Sequence, residues 1–280
     1  MLEVKDLVSP PFVNGVSFAV REGEIVGMSG LVGAGRSETA HCIFGIDANY
    51  TGEILIDGKP VHIRSVRQAM NAGIALVPEN RKEEGLVLIN SVGYNLTLTI
   101  LHELFRGHPL GNASREAHEI TQHIQELAIK TPSAEQLAEN LSGGNQQKIV
   151  IAKWLATRPK LLILDEPTRG VDVGARAEIY GFMNELAKQG VAILMISSDL
   201  PEVINMSDRV LVMHEGRVTA NLSKAELSQE TIMRYATTEG SNSDAACGRQ
   251  QTECVNALPE GKHGNAHRIT SNVRNPELHH

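Results

Sequence analysis

Short wholly apolar runs, the length of buried strands, alternate along this chain with stretches whose apolar residues recur every three or four positions. Strands buried on both faces read as continuous apolar runs and helices as one-sided stripes, so the alternation predicts an α/β fold. Leu2 to Leu7, Val16 to Arg21 and Glu24 to Ser29 predict opening strands, with Arg21-Glu22-Gly23 as a tight turn between the last two. Thr51 to Asp57 predicts a strand turning at Asp57-Gly58, followed by a helix over Val66 to Asn71 and a buried strand over Ile74 to Val77. Leu161 to Leu164 and Val191 to Ile196 read as buried strands. The helix between them shows Ala175, Ile179, Phe182 and Leu186 on one face and closes at Gly190. Asp208 to Met213 and Arg217 to Leu222 predict a hairpin turning at Glu215-Gly216.

Two stretches depart from that rhythm. Val92 to Leu104 reads as helical, and Arg115 to Ile129 carries a helical face of Ala117, Ile120, Ile124 and Leu127, with a glycine- and proline-bearing loop over Gly107 to Gly111 between them. A mainly helical subdomain inserted at about 88–158 is the expectation. Beyond about Gly240 the periodicity stops and Ser, Asn, Gly, His and Gln dominate, so residues 239–280 predict a disordered tail after a 1–238 domain.

Composition narrows the classes. A chain of 280 residues with 41% apolar content can bury a real core, as one large α/β domain or two smaller ones. Net charge is −7 with both signs mixed, without the basic stripe of a nucleic-acid binder. No run of eighteen apolar residues reaches membrane-spanning length, and MLEVKDL lacks the regions of a signal peptide. Three cysteines at unrelated spacings suit a reducing cytosol. The six-residue gap between Cys247 and Cys254, near His263 and His267, is wrong for a structural zinc site. A soluble, intracellular protein is expected.

The chemistry concentrates at strand ends. Gly30-Leu-Val-Gly33-Ala34-Gly35-Arg36-Ser37 follows a strand and opens a helix, so its glycines can wrap backbone N–H groups round phosphate and Ser37 can hold Mg²⁺. A plain glycine turn is the alternative. Arg36 stands where such loops carry lysine, a planar fork in place of a compact point charge. LSGGNQQK, Leu141 to Lys148, puts Ser142, Gly143 and Gly144 at a helix start, where unpaired N–H groups and the helix dipole favour phosphate; Ser142 as a simple N-cap is the other reading. The apolar strand ending in Asp165-Glu166 supplies one carboxylate for Mg²⁺ and one to orient or deprotonate water, or merely caps the next turn. Pro78-Glu79-Asn80-Arg81-Lys82-Glu83-Glu84-Gly85 reads either as a solvated loop or, at the end of a core strand, as a ligand contact.

With these elements in this order, the chain resembles the nucleotide-binding domain of ABC transporters from about residue 2 to 238. GLVGAGRS looks like the Walker A loop, LSGGNQQK like the signature, LLILDEP like the Walker B strand, and TRGVDVGA like the D-loop through Asp172, which is otherwise a helix N-cap. GLVGAGRSE, VPENRKEEGLV, LSGGNQQK, DEPTRGVDVGA and ISSDLPEV look like the second half of the monosaccharide-import ATPases, for ribose, xylose, arabinose, galactose and related sugars. Such proteins usually fuse two domains; this chain carries one and opens on methionine, which leaves a split gene, a fragment and a natural half-subunit open. The resemblance implies a P-loop NTPase fold, with a mainly parallel core sheet, an antiparallel β subdomain and an inserted helical subdomain. It implies ATP and Mg²⁺ as ligands, Gly30, Gly33, Ala34, Gly35, Arg36, Ser37 and Glu38 on nucleotide, Ser37 and Asp165 on the metal, and Glu166 as the catalytic carboxylate. It also implies that Leu141, Ser142, Gly143, Gly144, Asn145 and Gln146 serve an ATP shared with a second ATPase domain. Phe12 is a candidate to stack on adenine.

Three positions depart from a hydrolysing domain of this family. Arg36 replaces lysine, Glu79 takes the place of the Q-loop glutamine, and Ser198 stands where the switch histidine is expected. Together they predict an own site that binds ATP and turns it over slowly, beside an intact signature lent to a more competent partner. The implied protein is the ATPase half of a bacterial monosaccharide importer, peripheral on the cytoplasmic face of the inner membrane. Its implied partners are a transmembrane permease and, indirectly, an extracytoplasmic sugar-binding protein, with no nucleic acid. A non-hydrolysing regulatory half and a soluble ABC ATPase outside transport are the alternatives.

Overall fold

The computed structural model describes residues 1–105 and 112–237. In chain order the strands are β1 (Leu2–Ser9), β2 (Val13–Val20), β3 (Ile25–Gly30), β4 (Thr51–Ile56), β5 (Lys59–Val61), β6 (Ile74–Val77), β7 (Leu161–Asp165), β8 (Ala192–Ile196), β9 (Arg209–His214) and β10 (Arg217–Ser223). β2-β1-β4-β5 form an antiparallel sheet. β10-β9-β3-β8-β7-β6 form a second sheet, parallel throughout except for β10 against β9. The apolar runs are unbroken because this second sheet is covered on both sides. Leu161 and Ile163 of β7 join one core with β1, β2 and β4, while Leu162 and Leu164 join a second core on the opposite face. The helices are α1 (Arg36–Phe44), α2 (Val66–Asn71), α3 (Val92–Thr97), α4 (Leu101–Leu104), α5 (Ala113–Glu126), α6 (Gly143–Leu155), α7 (Val173–Lys188), α8 (Leu200–Met206) and α9 (Gln229–Thr237). Phe44 of α1 meets Trp154 of α6 edge to face, centroids 5.3 Å apart.

Several expectations are corrected here. Arg21-Glu22-Gly23 is the tight turn expected, the Glu24 amide donating to the Arg21 carbonyl at 3.3 Å, but the strands it joins lie in different sheets, β2 pairing with β1 and β3 with β8 and β9. The single helix expected over Val92 to Leu104 is broken by a 3-10 turn at Leu98–Ile100. Threonines flank the break, with Thr97 Oγ1 donating to the Gly93 carbonyl and Thr99 Oγ1 to the Lys153 carbonyl, and β-branched side chains fit a helix poorly. On α5 the fully buried residues are Glu119 and His123, whose polarity hid their burial, while Ile120 and Ile124 are only partly covered. The charged stretch after β6 is not loose: Arg81–Gly85 winds into one wide π-turn, and the Asn80 carbonyl oxygen of the side chain accepts from the Lys82 and Glu83 amides.

Two expectations about single elements match. α2 and β6 have the bounds read from the pattern. The β9–β10 hairpin turns through Glu215 and Gly216, both at positive φ, as a two-residue loop of that hand requires. Among the described residues, 88–158 holds helices, turns and one isolated bridge between Ser91 and Leu137. The loop at 107–111, the tail at 239–280, and Cys247, Cys254, His263 and His267 lie outside the described residues.

Candidate functional site

Four neighbouring parallel strands, β3, β8, β7 and β6, end on the same edge of the sheet, and the segments leaving them carry the candidate chemistry. That edge, past the strand carboxyl ends, is where open α/β sheets bind ligands.

β3 ends at Gly30 and the chain turns through Gly33 and the buried Ala34 into α1, whose N-cap is Gly35 at φ 92. A side chain at Gly35 would be strained by that φ, and its Cβ would lie 2.3 Å from the Phe12 carbonyl oxygen. The requirement is therefore fixed by geometry, and it places the half-exposed Phe12 beside this loop. Arg36, Ser37 and Glu38 form the first turn of α1, a helix start whose amides suit an anion. Arg36 is buried, and its Nη1 has no hydrogen-bond partner. A buried guanidinium nitrogen left unpaired is costly, and a phosphate oxygen would satisfy it.

Arg36 Nη1 also lies 4.0 Å from Glu166 Oε1, both side chains being nearly buried. Glu166 sits at φ 49, just past β7, and its amide donates to the Ile196 carbonyl at 2.9 Å. Its Oε1 accepts from the Ser198 backbone amide at 2.8 Å. The exposed Ser198 thus contributes main chain to the site. Below it the buried Ser197 hydroxyl donates to Glu202, which also accepts from Thr168 Oγ1 at 2.9 Å, so the turn after β8 is firmly anchored.

Asp165, the last residue of β7, is 2% exposed, and its Oδ1 has no hydrogen-bond partner. Burial pushes its carboxyl up to about 6; the Ser37 hydroxyl and the Arg36 guanidinium act in the opposite direction, and Glu166 adds to the rise. An orphaned, buried carboxylate oxygen beside a helix-start hydroxyl is a donor set that fits a hard divalent cation.

Glu79, expected at the Q-loop position, forms an ion pair with Arg169. Asp172 caps α7, its Oδ1 accepting from the Ala175 amide at 2.9 Å. Ser142 caps α6, and its Oγ accepts from Asn145 Nδ2 at 3.0 Å. Asn145 Oδ1 accepts from the Lys130 amide at 2.8 Å, while Gln146 Nε2 donates to the Ala138 carbonyl at 3.0 Å. Leu141 is half-buried against the second core. The adjacent glycines answer to neighbours as well as to any phosphate. A Cβ on Gly144 would lie 2.5 Å from Ala175 Cβ, and one on Gly143 would lie 2.8 Å from Arg81 Nη2. α6 and α7 therefore approach more closely at Gly144 than a side chain there would allow.

The strand ends unite Arg36, Ser37, Asp165, Glu166 and Ser198. Among the described residues no hydrogen bond or ion pair joins 141–146 to 30–38. Sequence reasoning missed Arg81 and Arg169, because nothing in a charge-rich loop announces partners almost ninety positions away.

A family model described as ABC transporter matches residues 13–169, more than half of the chain. The chain is 52% identical over 238 residues to a ribose import ATP-binding protein of Oceanobacillus iheyensis, covering 85% of this chain and 48% of that protein. It is 50% identical over 225 residues to a xylose import ATP-binding protein of Escherichia coli, covering 80% of this chain and 44% of that protein. The chain thus spans about half the length of these relatives. Among solved structures, a nucleotide-free ATP-binding cassette from an ABC transporter matches with a TM-score of 0.73 at 22% identity, over 85% of this chain and 99% of that one.

Proposed function

The chain belongs to the ABC transporter family, and from that premise we propose that it is the ATPase half of a bacterial monosaccharide importer. In this reading it binds ATP weakly productively at its own strand-end site and lends its signature turn to a partner ATPase domain. What carries the reading is the strand-end site, in which the buried Arg36 lies 4.0 Å from Glu166, beside a separate helix start at Ser142, Gly143 and Gly144. The relatives named for ribose and xylose import support a pentose or related monosaccharide as cargo.

The chemistry follows from the side chains. The amides of Gly33 and of 35–38 and the unpaired Arg36 Nη1 would hold the β- and γ-phosphates of substrate ATP. Ser37 and Asp165 would hold Mg²⁺, which neutralises phosphate charge during transfer. Glu166, fixed by the Ser198 amide, is aimed to orient water, but the Arg36 guanidinium 4.0 Å away competes with water for the same Oε1. Hydrolysis at this site is consequently slow, and the partner's site, completed by Ser142, Gly143 and Gly144, carries the turnover. Asp172 lies at the same face, with Val173 beside it 85% exposed and available to that partner.

The chain would lie on the cytoplasmic face of the inner membrane against a permease, through which it is linked indirectly to an extracytoplasmic binding protein. No helix among the described residues is long and apolar enough to cross a membrane itself. The test is reconstitution. The chain alone should hydrolyse ATP slowly, and adding a partner ATPase domain and permease should raise turnover in a sugar-dependent manner. Turnover by the isolated chain at the rate of the assembly would defeat the proposal. The Arg36–Glu166 proximity also favours a second reading, a half that binds ATP without hydrolysing it at all. Under that reading Glu166→Gln leaves transport by the assembly unchanged.

A further inference from the structure

Arg81 opens the π-turn after β6, and its guanidinium leaves that turn to reach two other motifs. Nη1 donates to the Arg169 carbonyl at 2.6 Å and Nη2 to the Gly170 carbonyl at 3.1 Å, both at the start of the D-loop. The same Nη2 occupies the space that a side chain on Gly143 would need. Glu79, two residues earlier, adds an ion pair to Arg169. The far end of the turn is held as well: the buried Lys153 Nζ of α6 donates to the Gly85 carbonyl, and Gly85 lies against Val150 of the same helix. A wide, solvent-facing turn is thus clamped at one end to the D-loop and at the other to the signature helix.

We infer that Arg81 is a positioning residue that straps the end of β6 to the D-loop and the signature turn, so that displacement of the 79–85 segment moves both partner-facing motifs together. Carbonyls of two successive residues point in different directions, and only a planar fork reaches both at once; an ammonium would reach one. The inference deepens the transporter reading and rests on it for its functional consequence: Arg81 controls turnover at the partner's site, which borrows these motifs, and leaves nucleotide binding in this chain alone. A rigid element with contacts at both ends is the physical link that coupling between sites requires.

Two experiments test this. In the assembled transporter, Arg81→Ala should lower sugar-stimulated kcat about tenfold while the KM for ATP stays within about twofold, and Arg81→Lys should restore only part of the loss. An unchanged kcat, or full rescue by lysine, overturns the strap. In the full chain without partners, amide hydrogen exchange at 143–145 and 171–175 should accelerate in Arg81→Ala while that of β7 and β8 does not. Unchanged exchange at those amides also overturns it. If Arg81→Ala does not fold, Arg81→Gln takes its place in both experiments. A wild-type assembly without sugar-stimulated hydrolysis defeats the transporter reading, and the exchange result still decides the strap.

Discussion

Asp165→Asn should make the ligand-free protein more stable while destroying its response to Mg-ATP. The Asp165 carboxyl is held at about 6 in the folded chain against 3.8 for the free group. A gap of about 2 pH units is worth roughly 3 kcal/mol at 1.36 kcal/mol per unit. The sign is set by protons: between about pH 4 and 6 the folded state binds more of them than the unfolded state, so stability falls as pH rises through that window and the full penalty persists above it. Asparagine keeps the shape and removes the charge, but it leaves an amide group partly unpaired in the same place at a cost of about 1 kcal/mol. The net gain at pH 7.5 is therefore about 1–2 kcal/mol, or roughly 3–6 °C in Tm for a domain of this size. Thermal unfolding without and with Mg-ATP, at pH 7.5 and pH 4, measures it. Ligand should raise the wild-type Tm and leave the variant's unmoved, and the variant's advantage should vanish at pH 4. A variant less stable than wild type at pH 7.5, or equally advantaged at both pH values, would refute the assignment of the unpaired oxygen as a metal ligand kept at the expense of stability.

Arg36→Lys should raise ATP turnover by the isolated chain by about tenfold, since a compact ammonium frees Glu166; a malachite-green phosphate assay showing no rise would count against the pairing. Asp172→Ala removes the α7 cap and should cost about 1 kcal/mol, a Tm loss of roughly 2–4 °C by calorimetry, and Asp172→Ser should recover most of it. Gly144→Ala places a methyl 2.5 Å from Ala175 Cβ, so a loss of about 1–3 kcal/mol is expected by urea titration. Burial holds the Lys153 ammonium down to about 8, so the folded chain loses that proton first and stability should rise as pH climbs from about 8 towards 10.5. Lys153→Met should flatten that rise in denaturation series across the same range.

The apolar code was legible wherever one side of the chain meets one kind of neighbour. β6, β7 and β8 and the hairpin turn at Glu215-Gly216 could be read from residue type alone, because burial on both faces and positive φ each leave a local mark. What could not be read depends on tertiary partners. Glu119 and His123 are buried by the packing of α5 although their chemistry says surface. Thr99, whose hydroxyl donates to the distant Lys153 carbonyl, sits in the 3-10 turn that breaks the helix after Thr97. In the site, Ser37, Asp165 and Glu166 were legible from their place at strand ends, but Arg81 was not, since its acceptors lie in a different motif. The glycine pair was read for phosphate, and its tight packing against Ala175 and Arg81 emerged only in three dimensions.

The hold on Glu166 comes from the Ser198 main chain, and this has a consequence for how the site tolerates change. Every residue except proline supplies the same N–H, so position 198 is free to wander among side chains without loosening the carboxylate. Alanine there should be silent for Glu166 placement, whereas proline should release it. The anchoring lies one step inward, in Ser197, Glu202 and Thr168, a buried trio with no exposed atom to advertise its importance. Selection acting on turnover would thus bear on those interior positions, while the exposed side chain at 198 is left to drift.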